Sequence, residues 1–238
     1  MNPHSPVMSS RFPMKPGSKN ESWLVFDIET DGLYDKVTQV FCIYDINRKE
    51  TFTYGPDCID DALAHLATGD VLIGHNVIFY DIPVLQKLHS FNCKARILDT
   101  LICTRLIWPK EKLYDLDIQL YPEVPKRYYG GASLKAWGYR LSSNKLEFKD
   151  FSEYSEEMLV YCKQDVSVTS KLWEHISDQG YPEQALKLEH DFALAINKQI
   201  RAGVSFDVDA AIDLVDDLRA KEKQLEEQLK EIFPPIEH

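Results

Sequence analysis

The chain has 238 residues, of which 44% are hydrophobic and 27% are charged, and its formal net charge at pH 7 is -11. This length can bury one substantial core, so we expect a single main domain with an appendage. The sequence contains no run of 18 apolar residues and no apolar signal-peptide segment, which excludes a membrane-spanning class and predicts a cytoplasmic protein. The five cysteines form no CxxC pair, so we expect free thiols rather than a zinc site or a disulfide framework.

The first third of the chain alternates between strand and helix patterns. Residues 1–20 are rich in Pro, Ser, Asn and Lys and show little periodicity, which predicts a disordered or loosely attached tail. Apolar runs bounded by turn residues then predict four strands and two helices. The strands are predicted at Trp23–Ile28, Val37–Ile46, Thr51–Tyr54 and Val71–Gly74, and the helices at Asp57–Leu66 and Ile82–Leu88. This alternation indicates a three-layer α/β arrangement.

The rest of the chain is predicted to be mainly helical. Between Pro109 and Tyr129 the periodicity is lost and prolines gather, which indicates an irregular loop on the substrate side. A helical pattern covers Ser155–Ile176, a second helix begins at Pro182, and a third ends near Ile232. We therefore divide the chain into a tail (1–20), a main domain (21–180) and a helical extension (181–238).

Four acidic residues in three separated segments carry the chemical signal. Asp27 and Glu29 in WLVFDIET lie two apart on a predicted strand, so their side chains project from the same face. Asp81 lies in GHNVIFYDIP, and Asp165 in YCKQDV follows Tyr161 by four residues, on one face of a helix. Such a cluster would repel itself unless cations bound in it, and oxygen ligands suit Mg2+ or Mn2+. A single acid of this kind more often caps a helix, so the prediction depends on all three motifs.

These motifs resemble those of a known family. DIET, NVIFYD and YCKQD are similar, in the same order, to the three motifs of the DnaQ-like 3'-to-5' exonucleases, in the subtype with Tyr in the third motif. HNVIFYDIPVL, LDTLICTRLIW and SLKAWGYRL resemble further segments of the N-terminal proofreading domain of bacteriophage family A DNA polymerases. The resemblance covers about residues 22–176 and weakly continues to about 233. It implies a ribonuclease H-like three-layer fold with a mixed central sheet.

The resemblance also implies roles for individual residues. Two divalent ions, Mg2+ or Mn2+, would be held by the four acids, with Asp27 between both ions. Glu29 and Asp165 would hold the ion beside the attacking water, and Asp81 would support the second ion. Tyr161 would orient the water. A catalytic centre with two ions of this kind is typical of phosphodiester hydrolysis.

Nucleic-acid contacts are expected in two places. Asn76 and Tyr80 match family positions that contact the terminal nucleotide. The segment KRYYGGASLKAWGYR, residues 126–140, has four basic and four aromatic residues and no acid, although the whole chain is acidic. A single strand favours such a mixture, because cations neutralise its phosphates and aromatic rings stack on its bases. The residues of this segment that we expect to contact nucleic acid are Lys126, Arg127, Lys135, Trp137 and Arg140. For each of them, a core or solvated structural role is an equally weighted alternative.

The sequence therefore predicts a proofreading-type 3'-to-5' exonuclease that releases nucleoside monophosphates from single-stranded DNA, located in the host cytoplasm if it is phage-encoded. Two alternatives remain open. One is an RNA 3' exonuclease of the RNase D kind, because the catalytic motifs do not distinguish the two sugars. The other is a non-catalytic docking module of a split replicative polymerase.

The last predicted helix bears on the choice of partner. Its apolar residues form a stripe at helical spacing, which includes Leu225 and Leu229. In the family this region resembles the connection to the polymerase domain, so a separate polymerase chain is a candidate partner, and a helix folded back on its own domain is the alternative. The printed sequence ends at IFPPIEH, and we expect no DNA synthesis from these residues alone. Both a fragment and a separate subunit fit this pattern.

Overall fold

The computed structural model describes residues 21–47, 50–143, 146 and 148–233. The tail predicted for residues 1–20 lies outside this range. The chain divides into two compact units, Met1–Asn197 and Lys198–His238. Among the described residues, none of the helices combines the length and the apolar character needed to cross a membrane.

A five-stranded mixed sheet forms the centre of the first unit. Its strands are β1 (Trp23–Thr30), β2 (Val40–Ile46), β3 (Thr51–Tyr54), β4 (Val71–Gly74) and β5 (Arg96–Asp99). The spatial order is β3-β2-β1-β4-β5, so β1 lies in the middle. It pairs antiparallel with β2 and parallel with β4, and β4 pairs parallel with β5. The predicted mixed sheet is confirmed, although the short strand β5 was not predicted.

Helices cover both faces of this sheet. The helices are α1 (Ile59–Leu66), α2 (Asp81–His89), α3 (Thr100–Ile107), α4 (Lys110–Leu120), α5 (Leu134–Arg140) and α6 (Glu156–Ser177). In β1, Leu24 and Phe26 belong to the core under α1 and α2, whereas Trp23 and Val25 belong to the core under α3, α5 and α6. Since side chains alternate along a strand, Asp27 and Glu29 continue the face of Trp23 and Val25, which α6 covers.

Helix α4 corrects the prediction of an irregular segment between Pro109 and Tyr129. Residues 110–120 are helical, and a short 3-10 turn follows at Lys126–Tyr128. The prolines misled the prediction because one of them, Pro109, immediately precedes the helix instead of interrupting it. Burial of Leu113 and Asp117 holds one face of α4 against the domain.

Two long helices end the described chain, α7 (Glu183–Ala202) and α8 (Val208–Ile232). Leu186, His190 and Ala193 of α7 are buried, and the first compact unit extends to Asn197. The boundary predicted at residue 180 therefore lies before a helix that belongs largely to the main domain. None of the residues of α8 is buried, and Asp207 caps the helix by accepting a hydrogen bond from the Ala210 N–H at 2.9 Å.

Candidate active site

The first predicted motif lies at the carboxyl end of the central strand. Ligand atoms of Asp27, Glu29 and Cys162 all lie within 4.8 Å of one another. Cys162 comes from α6, and its thiol donates a hydrogen bond to the Asp27 carbonyl oxygen at 3.5 Å. The pairing of β1 with β2 shifts register between Glu29 and Thr30, as is common beside functional sites. The position of Cys162 among the acids was not predicted. The sequence feature that could have indicated it is that Cys162 directly follows Tyr161 in the third motif.

Asp81 lies beside the same strand. It is the first residue of α2 and is 3% exposed, and its carboxylate accepts a hydrogen bond from the backbone of Ile28, which lies between Asp27 and Glu29. Burial, reinforced by the negative charge of Asp99, raises the pKa of Asp81 to about 7. The second motif therefore lies next to the first.

Helix α6 carries the third motif. Asp165 is buried and Tyr161 is half-buried. Tyr161 packs against Phe148 and Phe151, at ring-centroid distances of 5.7 and 6.1 Å. Tyr161 also lines a cavity of about 360 Å3, together with Leu146, Phe148, Glu156, Glu157 and Val160. Because α6 packs against both β1 and β2, it presents this motif to the face of the sheet that bears Asp27 and Glu29.

The turn between β4 and α2 presents Asn76 and Tyr80. Asn76 has a left-handed backbone, with φ of 72°. A Cβ atom at Gly74 would lie 2.1 Å from Val77 Cγ1 and 3.1 Å from the Phe26 carbonyl oxygen, so only glycine fits there. The Tyr80 hydroxyl hydrogen bonds to Thr30 and to the Gly32 carbonyl oxygen. Tyr80 therefore ties the second motif to the loop after the first.

A second cavity of about 270 Å3 adjoins Glu29. It is lined by Ile28, Glu29, Thr30, Gly32, Leu33, Tyr80 and Phe151. Leu33, one of the lining residues, is 80% exposed. The cavity combines mainly apolar walls with the Glu29 carboxylate, a combination that is common in ligand-binding pockets.

The basic and aromatic segment divides into an exposed part and a buried part. Lys126 and Arg127 are exposed, and the Arg127 guanidinium lies 4.9 Å from the centre of the Tyr128 ring. Lys135 is half-buried, with its amine 6.0 Å from the same ring, and Tyr139 stacks on Tyr128 at 5.7 Å. Cations and aromatic faces are therefore adjacent on one surface.

Trp137 and Arg140 require a correction. Trp137 is 1% exposed and packs in the core against Trp108, at a ring-centroid distance of 5.0 Å. The Arg140 guanidinium is fully buried in an ion pair with Asp117. A nucleic-acid strand in solvent cannot reach either side chain. Both side chains therefore have the structural role that was the alternative to nucleic-acid contact. A mixture of basic and aromatic residues in sequence does not reveal which side chains face the core.

The donor set suits a hard divalent cation. The carboxylates of Asp27 and Glu29 lie close together, and a third carboxylate, Asp81, is buried beside them with a raised pKa. A cation bound beside these carboxylates would favour their charged forms and would offset the burial that raises the pKa of Asp81. Oxygen ligands favour Mg2+ or Mn2+. Burial raises the pKa of the Cys162 thiol, which favours the protonated form that donates to the Asp27 carbonyl oxygen over a thiolate ligand.

A family model of the RNase H superfamily matches residues 24–177. The chain belongs to this superfamily. The matched range begins at β1 and ends with α6, so it includes all three acidic motifs. Members of the RNase H superfamily share the central mixed sheet described above, and the expected ribonuclease H-like fold is confirmed.

Two curated relatives of this superfamily member are phage polymerases. The chain is 31% identical to the DNA-directed DNA polymerase of Escherichia phage T7 and 32% identical to that of Enterobacteria phage T3. Each alignment covers 88% of this chain and 37% of the polymerase, so the chain spans little more than a third of their length. The resemblance to phage family A polymerases is confirmed.

Among solved structures, the chain is similar to Escherichia coli RNase D, described as an exoribonuclease involved in structured RNA processing. The identity is 14%, the TM-score is 0.49, and the match covers 75% of this chain and 46% of RNase D. The superfamily match and the phage relatives together relate the chain to nucleases of the RNase H-like class.

Proposed function

We propose that the protein is a divalent-metal-dependent 3'-to-5' exonuclease that removes nucleoside monophosphates from the ends of single-stranded DNA. The observation that carries this proposal is that Asp27 and Glu29 lie within 4.8 Å of Cys162 on α6, the helix that also bears Tyr161 and Asp165, while Asp81 is buried against the Ile28 backbone. The same elements lie within the range that matches the RNase H superfamily.

In this proposal Asp27, Glu29, Asp81 and Asp165 hold two divalent ions. Ions bound there supply Lewis acidity to the scissile phosphate and stabilise the negative charge of the transition state. Tyr161 orients the attacking water through its hydroxyl. The water oxygen forms a bond to phosphorus as the bond to the 3' oxygen of the preceding nucleotide breaks, and that oxygen takes up a proton. No covalent bond to the protein is required.

The cavity beside Glu29 suits the terminal nucleotide. A base that entered it would contact the apolar side chain of Leu33 and the rings of Tyr80 and Phe151, which line its walls. Base stacking on aromatic rings contributes about 1 to 3 kcal/mol and tolerates any base, as an exonuclease without sequence preference requires. We propose that Lys126, Arg127 and Lys135 guide the strand, since Lys126 and Arg127 are exposed and Lys135 is half-buried beside Tyr128.

The preference for DNA is proposed because the curated relatives are DNA polymerases of phages. The experiment is degradation of matched 5'-labelled DNA and RNA single strands with Mg2+, Mn2+ or EDTA. We expect a ladder of shortened DNA that depends on metal and is lost in Asp27→Ala. As a control, Asp60→Ala changes an exposed acid on α1, on the opposite face of the sheet, and should retain activity. Full activity of Asp27→Ala, or of the wild type in EDTA, would refute the proposal, and faster loss of RNA would favour the RNase D-like alternative.

We propose further that α8 binds a polymerase chain. Its apolar residues Leu225 and Leu229 are 58% and 56% exposed. The aligned relatives are polymerases, and their chains continue beyond the aligned region. Exposed apolar surface on a helix often marks a site that binds another protein. The docking-module alternative predicts this association without hydrolysis, so the degradation experiment separates the two.

A further inference from the structure

Asp99 lies behind the candidate active site and holds the turn that leads to Asp81. Its carboxylate is fully buried at the end of β5. It accepts hydrogen bonds from the backbone N–H groups of Asn76 at 2.8 Å, Ile78 at 3.1 Å and Leu101 at 2.9 Å. The bonds to Asn76 and Ile78 connect this carboxylate directly to the turn between β4 and α2. Because one buried carboxylate accepts from three backbone N–H groups, two of them in the turn, Asp99 anchors the turn.

Side chains of helix α7, much later in the sequence, hold both Asp99 and the turn itself. The Asp99 N–H donates to His190 Nε2 at 2.8 Å, and His190 Nδ1 donates to the Leu186 carbonyl oxygen at 2.7 Å. Later in the same helix, Asn197 Nδ2 donates to the Ile78 carbonyl oxygen at 2.9 Å. Both the N–H and the C=O of Ile78 are therefore held by side chains outside the turn.

His190 is suited to this role as a neutral imidazole. Its burial lowers its pKa, which favours the neutral form. In that form one ring nitrogen donates and the other accepts, as the bonds to Leu186 and Asp99 require. The histidine is 3% exposed, so water does not compete for either nitrogen.

The turn that Asp99 and Asn197 hold carries two residues of the proposed site, Asn76 and Asp81. Asn76 adopts a left-handed backbone with φ of 72°, which asparagine tolerates better than most residues, and its N–H is held by Asp99. Asp81 follows five residues later, as the first residue of α2. A small rotation of the turn would move both side chains, and productive geometry tolerates displacements of only about 0.5 Å.

On the basis of the proposed exonuclease function, we propose that His190 and Asn197 are positioning residues for the hydrolytic site. They fix the turn of residues 74–81 through Asp99 and Ile78, and so place Asp81 for metal binding and Asn76 for the terminal nucleotide. Hydrolysis at this site thus depends on a helix that the three acidic motifs do not include.

The first test measures the Mn2+ concentration that gives half-maximal hydrolysis of a DNA single strand. Asn197→Ala should raise this concentration by ~10-fold or more, within the range found when partners behind metal ligands are removed. Gln199→Ala removes an exposed amide from the same helix and should leave it unchanged. His190→Phe should act like Asn197→Ala, whereas His190→Gln, which keeps an acceptor, should restore most of the wild-type value. A role in stability alone would lower the melting temperature without changing the half-maximal Mn2+ concentration of the folded protein.

The second test is hydrogen exchange of the peptide covering residues 74–81, without metal or DNA. Asn197→Ala should speed exchange there by ~10-fold, and Gln199→Ala should not, because local opening depends on the contacts that hold the segment. Unchanged exchange in Asn197→Ala overturns the positioning role whether or not the protein is a nuclease. Faster exchange in the variant, when the wild type shows no metal-dependent hydrolysis, would support the anchoring of the turn and overturn the proposed function. Faster exchange with an unchanged half-maximal Mn2+ concentration would overturn the link to the metal site.

Discussion

Arg140 and Asp117 form an ion pair that solvent does not reach. Arg140 Nε lies 2.7 Å from Asp117 Oδ1 and Nη2 lies 2.8 Å from Oδ2, and both side chains are 0% exposed. Arg140 also donates to the Gly131 carbonyl oxygen at 2.7 Å, and the Gly130 N–H donates to Asp117 at 2.8 Å. The pair thus joins α4, α5 and the glycine turn that follows the exposed Lys126–Tyr128 segment.

Replacing one partner of this pair should be much worse than replacing both. Arg140→Met leaves a buried carboxylate without its cation, and we expect a loss of about 3 to 5 kcal/mol in the free energy of unfolding. The double variant Arg140→Met with Asp117→Leu should lose less than the sum of the two single variants. Urea unfolding of the four proteins measures this difference. Additive losses would show that the pair does not act as a unit.

Tyr161→Phe should separate water orientation from metal binding. The substitution removes one hydroxyl and keeps the ring that packs against Phe148 and Phe151. We expect the hydrolytic rate to fall by ~10 to 1000-fold, the range for a positioned catalytic group, with little change in the half-maximal Mn2+ concentration. Single-turnover kinetics measures both values. Tyr154→Phe, which removes a hydroxyl bound to Glu156, is the matched control. An unchanged rate in Tyr161→Phe would assign that side chain to packing.

The exposed Lys126 and Arg127 should contribute to strand binding by neutralising phosphates. When both are replaced by Glu, affinity for a single strand should fall, and the slope of log affinity against log salt should decrease by ~0.7 for each phosphate that is no longer neutralised. Fluorescence anisotropy over a salt series measures this slope. Replacement of Lys94 and Lys171, two exposed lysines outside the segment, by Glu is the charge-matched control. Equal slopes in the two double variants would show that Lys126 and Arg127 do not contact the nucleic-acid strand.

The raised pKa of Asp45 predicts that the free energy of unfolding depends on pH, independently of catalysis. It is fully buried and bonded to His65 Nδ1 at 3.1 Å, and burial raises its pKa from 3.8 to about 6. Because the folded-state pKa is the higher one, the folded state binds the proton more tightly. The stabilisation is present below pH 4 and is lost as the pH rises through 6.

Asp45→Asn should therefore gain stability relative to the wild type as the pH rises from 4 to 7. The expected gain is about 1 to 2 kcal/mol, after allowance for solvent screening. Thermal unfolding at several pH values measures it, with the exposed Asp57→Asn as control. A difference between Asp45→Asn and the wild type that stays constant with pH would contradict the assignment.

The apolar residues of α8 should govern association rather than hydrolysis. Replacing Leu225 and Leu229 together by Glu should abolish binding to a polymerase chain, since burial of each could contribute about 1.5 to 3 kcal/mol. Gln224→Glu with Gln228→Glu adds the same charge at the same spacing and is the control. Light scattering and co-purification report assembly, and activity on short single strands should be retained. A monomer that loses thermal stability in the leucine variant would show instead that α8 folds back on its own chain.

The candidate site residues could be named from the sequence because their selection depends on residue types within short segments. Asp27 and Glu29 lie two apart on a strand, and Tyr161 and Asp165 lie four apart on a helix, so local periodicity alone predicts that each pair shares a face. The central strand β1, the antiparallel strands β2 and β3, and the long helix α6 were predicted for the same reason. Their hydrophobic patterns are strong and regular over many residues.

Weak or ambiguous local patterns account for the elements that were missed. Strand β5 has only four residues, and α4 lies between prolines that suggested a loop. For Trp137 and Arg140, nucleic-acid contact and a structural role were equally weighted, because the mixture of basic and aromatic residues in their segment suits either one. Their burial depends on Trp108 and Asp117, which lie in other elements.

Contacts between distant segments were decided by the tertiary structure alone. The bond from Asp99 to His190 spans 91 residues, and the bond from Asn197 to Ile78 spans 119. No periodicity within a segment encodes such a pairing, because it arises only when the sheet and the helices pack together and exclude water from the polar groups between them. The sequence by itself named the acids that we propose to bind a cation, and the packing of α6 and α7 against the sheet decided where those acids lie and what holds them.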